Sequence, residues 1–451
     1  MMMEKVSYST LVNVNYEESL AYHLHDLSIE RGIPPSEYCQ VEFLDKFEEK
    51  EIVSLNFPKG LLVKKWVFER IFLQDGIKGR QVKGPFSFFE HHIKIKKISV
   101  SEIEVTDEAL YKIPLGSFGK WLLDSHIKKR LLRLFKYRHH VFKKDMEQKA
   151  LYPNTKPLKI LLSGSHGFVG SHLQKTLTLF GHLVTCLVRH APKDDKQIQW
   201  DPAEKKIELK ALEGFDIALH LGGENIASLK WTKGKKAKIY KSRVESTAFL
   251  AQALNKLQNP PKAFLCASAC GFYGKRPGEK LDETSSIGEG FLAHVVHDWE
   301  MSAHLFTKGK VATLRFGVVI GSHGGIFQKM LQPYKMGLGA IIGTGQEHMS
   351  WISLQDVAYQ ILFIMHKDSL LGAVNIVSPY PVTGEEFSRT LAKLLHRPLF
   401  LKIPAWLIKM VFQEIGEELF LADAKVYPTK LIWSEARFAY PTLKEALENI
   451  L

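Results

Sequence analysis

The sequence predicts two structural classes in one chain: an α+β unit over residues 1–150, and an α/β unit with a doubly wound parallel sheet from residue 158 onward. Three observations carry this. Stretches rich in β-branched and aromatic residues precede one long basic helix in the first third of the chain. Past residue 157 the pattern changes to strand, glycine turn and helix, repeated, the order that builds a parallel sheet covered on both faces. Between the two textures lies Leu151-Tyr-Pro-Asn-Thr-Lys-Pro-Leu158. Its prolines and asparagine disfavour regular structure and mark a linker over 151–157.

Each element follows in order. In the first unit, residues 6–14, 61–68 and 92–105 read as strands. A helix then runs from about 119 to 149, with Trp121, Leu122, Ile127, Leu131, Leu134 and Phe135 at helical spacing. Strands followed by a long terminal helix make an α+β unit. In the second unit, 158–162 is a short apolar strand, a helix spans 168–180 and stops at Gly181, and 183–188 is the next strand. Residues 217–221, 263–267 and 311–316 read as further strands of the body, 158–397. From about Pro398 the chain reads as a small helical appendage, 398–451, with helices around Trp406 and Thr442.

Composition narrows the function classes. Over 451 residues, 45% apolar and 24% charged content excludes a disordered or fibrous protein. No apolar run approaches the roughly 20 residues that span a bilayer. The start, Met1-Met2-Met3-Glu4-Lys5, lacks the apolar core of a secretory signal. Four cysteines, Cys39, Cys186, Cys266 and Cys270, are too scattered for a disulfide framework. A reducing cytoplasm is the expected compartment. The net charge of +13 is clustered, with ten basic against three acidic residues over 120–149 and seven basic residues without an acid over 230–243. Such patches attract polyanions, anionic lipid or phosphorylated cofactors, or else they are solvated helix faces. Nucleic acid has charge alone to argue for it. Metal has less: His91-His92 and His139-His140 are adjacent pairs whose side chains diverge, and Cys266 and Cys270 lack further ligands at useful spacing.

The informative motif is Ser163-Gly164-Ser-His-Gly167-Phe-Val-Gly170, which follows a strand and opens a helix. Gly164 permits the tight turn, Gly167 lets a diphosphate approach the backbone, and Gly170 lets helix and strand pack closely. The helix start presents unpaired N–H groups and a partial positive charge to phosphates. Gly164, His166, Gly167, Phe168, Val169 and Gly170 are therefore the candidate dinucleotide cradle. A carboxylate about 20 residues further on would bind the ribose 2′-hydroxyl of NAD. That place holds Arg189, whose guanidinium suits a 2′-phosphate, so NADP(H) is favoured over NAD(H); Asp194 and Asp195 lie a little beyond.

Beyond these residues the sequence resembles a known family. From Lys159 to about Leu447 it is similar to an atypical branch of the extended short-chain dehydrogenase/reductases, the NAD-dependent epimerase/dehydratase-like, sugar-nucleotide epimerase-like proteins. The glycine turn, His220-Leu-Gly-Gly-Glu-Asn-Ile226, Trp231-Thr232, Ser268-Ala-Cys-Gly-Phe-Tyr-Gly274, Leu314-Arg-Phe-Gly-Val-Val-Ile320, Trp351-Ile-Ser-Leu-Gln-Asp-Val357 and Asn375-Ile-Val-Ser-Pro carry the likeness in order. The resemblance implies a Rossmann-type sheet, with Gly222, Gly223 and Glu224 where the family wraps its cofactor. The first unit resembles a START-like (SRPBCC) domain through Gln81-Val-Lys-Gly-Pro-Phe-Ser-Phe-Phe-Glu-His-His-Ile93, Tyr111-Lys-Ile-Pro-Leu-Gly116 and Phe135-Lys-Tyr-Arg-His-His-Val141. That likeness implies a helix grip, an antiparallel sheet wrapping a long helix around a cavity, which binds an apolar ligand or is filled by side chains.

Carbonyl reduction in the superfamily uses a tyrosine whose pKa is lowered by a lysine four residues on, with a serine aligning the substrate. The phenol starts near pKa 10, so a nearby cation is required. Ser268 stands at the family serine position. The Tyr-x-x-x-Lys pair is missing: Phe291-Leu-Ala-His-Val-Val-His297 stands there instead. Tyr273 is then the candidate acid/base beside Ser268, with the alternative that it is structural. His294 and His297 are substitutes by their near-neutral pKa. Arg315, near a strand end, reads as a cofactor or acid-group ligand or as half of a structural ion pair, and Lys241, Ser242 and Arg243 as residues reaching the Glu224 face. Two functions stand open: an NADP(H)-dependent epimerase or oxidoreductase, and a sensor or scaffold that binds NADP(H) without turnover.

Overall fold

The structure is a computed structural model that describes residues 3–57, 64–114, 116–152, 155–226 and 231–451, without the side chains of 116–122. Met1, Met2, the start of the expected strand at 61–63, Leu115, the linker residues Pro153 and Asn154, Lys230, and the side chains of Trp121 and Leu122 lie outside the described residues. The chain divides into two compact units, Met1–Thr155 and Lys156–Asn449.

In the first unit β1 (Glu4–Val12) leads into helices α1 (Tyr16–Leu24) and α2 (Leu27–Arg31). Six strands follow, β2 (Gln40–Lys46), β3 (Lys50–Asn56), β4 (Lys65–Leu73), β5 (Gly76–Lys83), β6 (Phe88–Lys97) and β7 (Ile103–Lys112), then α3 (Gly116–Lys149). The strands form one antiparallel sheet in the order β1-β7-β6-β5-β4-β3-β2. Residues 92–105, expected as one strand, are parts of two. Ile98 and Ser99 N–H both reach Glu102 O at 3.0 Å and turn the chain. A run of β-branched residues conceals that turn because Val100 stands at its tip, exposed. Along β7 every second residue is buried, the period of a sheet covered on one face. That face meets α3, where Leu131 and Phe135 pack with Val6, Phe89, Ala109 and Tyr111. Burying Phe135 contributes about 2–3 kcal/mol.

The buried face also carries Asp107, 0% exposed. Its carboxylate accepts from His91 Nε2 at 2.5 Å, Arg138 at 2.8 Å and His139 Nε2 at 3.1 Å. Burial opposes the charge, but the Arg138 guanidinium and the hydrogen bonds from His139 and His91 hold the carboxyl well below its usual range. Much of the basic excess on α3 is matched in this way: Arg130 and Arg133 pair with Glu37, Lys128 with Glu4 and Asp124, and Lys149 with Glu18.

The second unit begins with β8 (Lys159–Ser163), α4 (Phe168–Leu179), β9 (Leu183–Val188), β10 (Gln197–Asp201) and the two-residue β11 (Lys206–Ile207). It continues through β12 (Ile217–His220), α5 (Lys233–Tyr240), α6 (Ser246–Asn255), β13 (Ala263–Ala269), β14 (Lys280–Leu281), α7 (Phe291–Ala303) and β15 (Lys310–Phe316). Short strands β16 (Val318–Ile320), β17 (Ala340–Ile342), β18 (His348–Met349) and β19 (Trp351–Ser353) precede β20 (Gly372–Ile376). The main sheet runs β11-β10-β9-β8-β12-β13-β15-β20 and is parallel except at β11. Its central strands are buried on both faces, with Leu161, Leu187 and Phe264 in one core with Trp299 of α7. From β8 the chain winds to one side and then returns to the other, so β8 and β12 flank the switch point where such sheets open a crevice.

Past residue 398 the chain is woven into the second unit. Leu401–Ile403 pairs with β17 and Lys425–Val426 with β14. The buried Asp356 carboxylate accepts the Ala439 and Tyr440 N–H groups at 2.6 and 3.0 Å. The final helix, Leu443–Ile450, starts at a Thr442/Glu445 capping box.

Candidate functional site

The glycine turn lies at the switch point. Ser163 closes β8, and its Oγ meets Nδ1 of His220, its register partner on β12, at 2.5 Å. Burial drives the His220 imidazole down to about 4, so it is neutral. Gly164 has φ +79°, a conformation that glycine favours. A Cβ there would stand 2.7 Å from the Leu221 carbonyl carbon, and one on Gly170 would stand 2.1 Å from Gly164 O. Both positions exclude a side chain. At Gly167 only Gly164 O, at 3.1 Å, falls within 4 Å of a Cβ, so the backbone is otherwise open to approach. Gly167 is the N-cap of α4, and no side chain caps that end. The N–H groups of the first turn, Phe168, Val169 and Gly170, therefore keep their hydrogen-bonding capacity and partial positive charge. The Phe168 ring itself packs against Gly321, Gly324 and Gly325. His166 meets the edge of His190 with ring centres 5.4 Å apart. Its neighbour Arg189 follows β9, exposed, with no ion pair among the described residues. Asp194 caps the Lys196 N–H at 3.0 Å.

Gly222 and Gly223 follow β12 against this turn. Glu224 N–H donates to Ser242 Oγ at 2.9 Å, and Arg243 donates to Glu224 O at 3.0 Å. Ser242 and Arg243 lie in a π-turn, Lys241–Glu245, between α5 and α6, a local widening that recurs at functional sites. Arg243 also lies over the Trp299 ring at 5.2 Å, and burial brings its pKa down to about 10. Lys235 holds the Glu224 carboxylate at 2.6 Å and lowers its pKa. Lys241 itself is exposed.

The remaining site residues form a second, closed cluster. Ser268 stands near the end of β13, two strand spacings or roughly 10 Å across the sheet from the glycine turn. Its Oγ donates to Glu300 Oε1 at 2.5 Å. Arg315 donates to both Glu300 oxygens at 2.7 and 2.8 Å and to the Tyr273 hydroxyl at 2.9 Å, with its guanidinium 3.5 Å from the Phe272 ring centre. Tyr273 donates onward to Asn375 Oδ1 at 2.7 Å. Ser268, Tyr273 and Arg315 are all buried, at 2%, 0% and 4% exposure. Burial raises the Tyr273 pKa despite the neighbouring guanidinium. Burial alone would lower that of Arg315, but the bonds and charge of Glu300 raise it. The phenol is thus held protonated and the guanidinium charged.

Helix α7 occupies the place of the superfamily's tyrosine and lysine. His294 and His297 sit on its exposed face, His297 beside Asp298 at 3.2 Å, while Glu300 sits on the buried one. The start of α7 is capped from the end of the chain: Glu418 accepts the Phe291 and Leu292 N–H groups at 2.8 Å each. Sequence reasoning missed Glu300, Asn375 and Glu418 as partners. A signal existed for Glu300, the one carboxylate among Leu292, Val295, Val296 and Trp299 on the apolar face. No comparable local signal marks Glu418.

Fold and site together define the class: an α/β protein of Rossmann type with a glycine turn at the switch point. Residues 160–376 match the NAD dependent epimerase/dehydratase family, and 403–450 match a domain of unknown function, DUF1731. An epimerase family protein of Mycobacterium bovis is 32% identical over 290 residues, 64% of this chain and 96% of the relative. The chain belongs to this epimerase/dehydratase family. A crystal structure of human epimerase family protein SDR39U1 with NADPH is 30% identical, with TM-score 0.60 over 65% of this chain and 99% of that one. The nucleoside-diphosphate sugar epimerase of Corynebacterium glutamicum shares the fold over 99% of this chain and 90% of its own, with TM-score 0.80 and 24% identity. Among the described residues no helix is long and apolar enough to cross a membrane, and no three His, Cys, Asp or Glu side chains cluster to hold a metal ion.

Proposed function

We propose that the second unit, 158–397 with its extension 398–451, binds NADP(H) across residues 163–170 and 222–224. The observation that carries this reading is the open backbone at Gly167, set between two glycines whose side-chain positions are blocked, at an uncapped helix start. A diphosphate supplies the acceptors those N–H groups lack. Arg189 is the charge for the 2′-phosphate, and its exposed guanidinium, with no ion pair among the described residues, supports the choice of NADP(H) over NAD(H). The NADPH held by human SDR39U1, 30% identical, points the same way. When bound, the cofactor supplies hydride chemistry; this chain's residues orient its phosphates and ribose.

Within this family the reading is an epimerase-like or oxidoreductase protein, with Ser268 and Tyr273 the site's hydroxyls. A second reading, binding without turnover, is favoured by one observation: both hydroxyls donate to protein acceptors, Glu300 and Asn375, and the phenol is held protonated. The first unit, 1–150, joined through 151–157, reads as a START-like helix grip for an apolar ligand. Support comes from its seven-stranded antiparallel sheet, closed by the long helix α3 against the covered face.

Calorimetric titration of the full chain with NADPH and NADH tests the cofactor reading. NADPH binds more tightly, and Arg189→Ala removes that preference by weakening NADPH alone, about ten-fold or more. Absence of binding by either nucleotide overturns it.

A further inference from the structure

The first unit forms a partly open pocket of about 130 Å³ between its sheet and helices α1, α2 and α3. Its size is decisive. Pockets for drug-sized or lipid ligands run from about 300 Å³ upward, whereas a cavity of about 150 Å³ takes benzene. Trp66, Phe68, Phe89 and Phe135 supply the aromatic wall. The polar wall is charged in balance: Arg70 pairs with Glu51, and Arg138 with Asp107 at 2.8 Å. Neither a carboxylate nor an ammonium ligand finds an unmatched countercharge there.

Two histidines of the lining decide the rest. His23 Nδ1 lies 2.8 Å from Ser19 O, a carbonyl that can only accept, so Nδ1 carries the proton. His91 Nε2 lies 2.5 Å from the ionised Asp107 carboxylate and 3.3 Å from the Arg138 guanidinium; the shorter contact, to an oxygen that can only accept, places the proton on Nε2. Burial lowers both pKa values, that of His23 to about 4, so both rings are neutral. Each therefore keeps one bare acceptor nitrogen, His23 Nε2 and His91 Nδ1. Neither meets a donor among the described residues.

We infer that this cavity binds a neutral, single-ring aromatic molecule bearing a hydroxyl group, a phenol rather than a fatty acyl chain, with the hydroxyl donating to His23 or His91. The inference rests on the apolar-ligand reading of the first unit and narrows it. Gly79 provides a clean way to close the site. It lines the cavity on β5, opposite His91 in register, and a Cβ there would meet nothing closer than 3.8 Å. A larger side chain at 79 enters the cavity without backbone strain.

The test titrates the full-length protein with p-cresol, toluene and dodecanoate, by calorimetry and ligand-observed NMR. The expected result is binding of p-cresol about ten-fold tighter than toluene, the value of one hydrogen bond. Gly79→Leu, or Gly79→Val as the milder replacement, abolishes binding while the melting temperature holds or rises. His23→Phe shrinks the preference for p-cresol over toluene. Equal affinity for p-cresol and toluene, tighter binding of dodecanoate, or p-cresol binding that survives Gly79→Leu and Gly79→Val overturns the phenol inference and leaves the apolar-ligand reading standing. No binding of any of the three probes overturns both.

Discussion

Removing the guanidinium of Arg315 is the most informative single change in the second unit. In Arg315→Met the buried Glu300 carboxylate, itself 8% exposed, loses both of its charge-assisted bonds at 2.7 and 2.8 Å and keeps only Ser268. Tyr273 loses its 2.9 Å donor, and the Phe272 face loses its cation. Breaking a buried ion pair from one side costs about 3–5 kcal/mol, because the remaining charge is stranded away from water. Replacing both partners, in Arg315→Met/Glu300→Leu, strands no charge and leaves only two hydroxyls short of a partner, a residual of about 1–2 kcal/mol. With two units in the chain, a global melt would mix their transitions. Hydrogen exchange of peptides covering 263–269 and 310–316 reads the local opening instead. The single variant is expected to exchange roughly a hundred-fold to several thousand-fold faster than wild type, and the double variant to recover most of that loss. An acceleration below about ten-fold in the single variant, or a double variant as fast as the single, refutes the reasoning.

Gly170→Ala tests the glycine turn, since its methyl meets Gly164 O at 2.1 Å. The expected cost is about 1–3 kcal/mol of overpacking, together with loss of the thermal stabilisation by NADPH; a variant that melts and responds like wild type refutes the packing argument. His220 governs an acid response of the second unit. Its folded pKa is about 4 against 6.5, so between those values the unfolded chain holds more protons and stability falls as pH drops through that window. From pH 7 to pH 5 the loss is about 2 kcal/mol, and His220→Asn flattens that part of the profile in paired melts. An unchanged slope in the variant assigns the acid response to other groups.

The second unit was legible where neighbouring residues specify the structure. Helix 168–180 and strand 183–188 could be read because their apolar spacing, the glycine turn before them and Gly181 between them are all local. The first unit was harder. Helices α1 and α2 and strands β2, β3 and β5 passed unnoticed: α2 and β2 bury no residue fully, and two of the three buried side chains of β3, Glu51 and Ser54, are polar. The hairpin between β6 and β7 hid inside a β-branched run. At the site, residues 163–170 and 220–224 come together because β8 and β12 are adjacent at the switch point. His294 and His297 were plausible proton carriers by residue type alone, but the helical period turns both to the exposed face of α7 and Glu300 to the buried one.

By itself the sequence determined the strand–glycine turn–helix start of the second unit and five strands of its main sheet, the glycines of the turn, and the family. Periodicity and turn chemistry act over a few residues, so one chain suffices to read them. Only the tertiary structure decided the partners of its buried charges. Ser268, Tyr273, Glu300, Arg315 and Asn375 are spread over more than a hundred positions and meet because of strand order and register. Asp107 likewise finds His91, Arg138 and His139 across a sheet and a helix. Burial then sets which of these groups hold a proton, a property that arises only after water has been excluded.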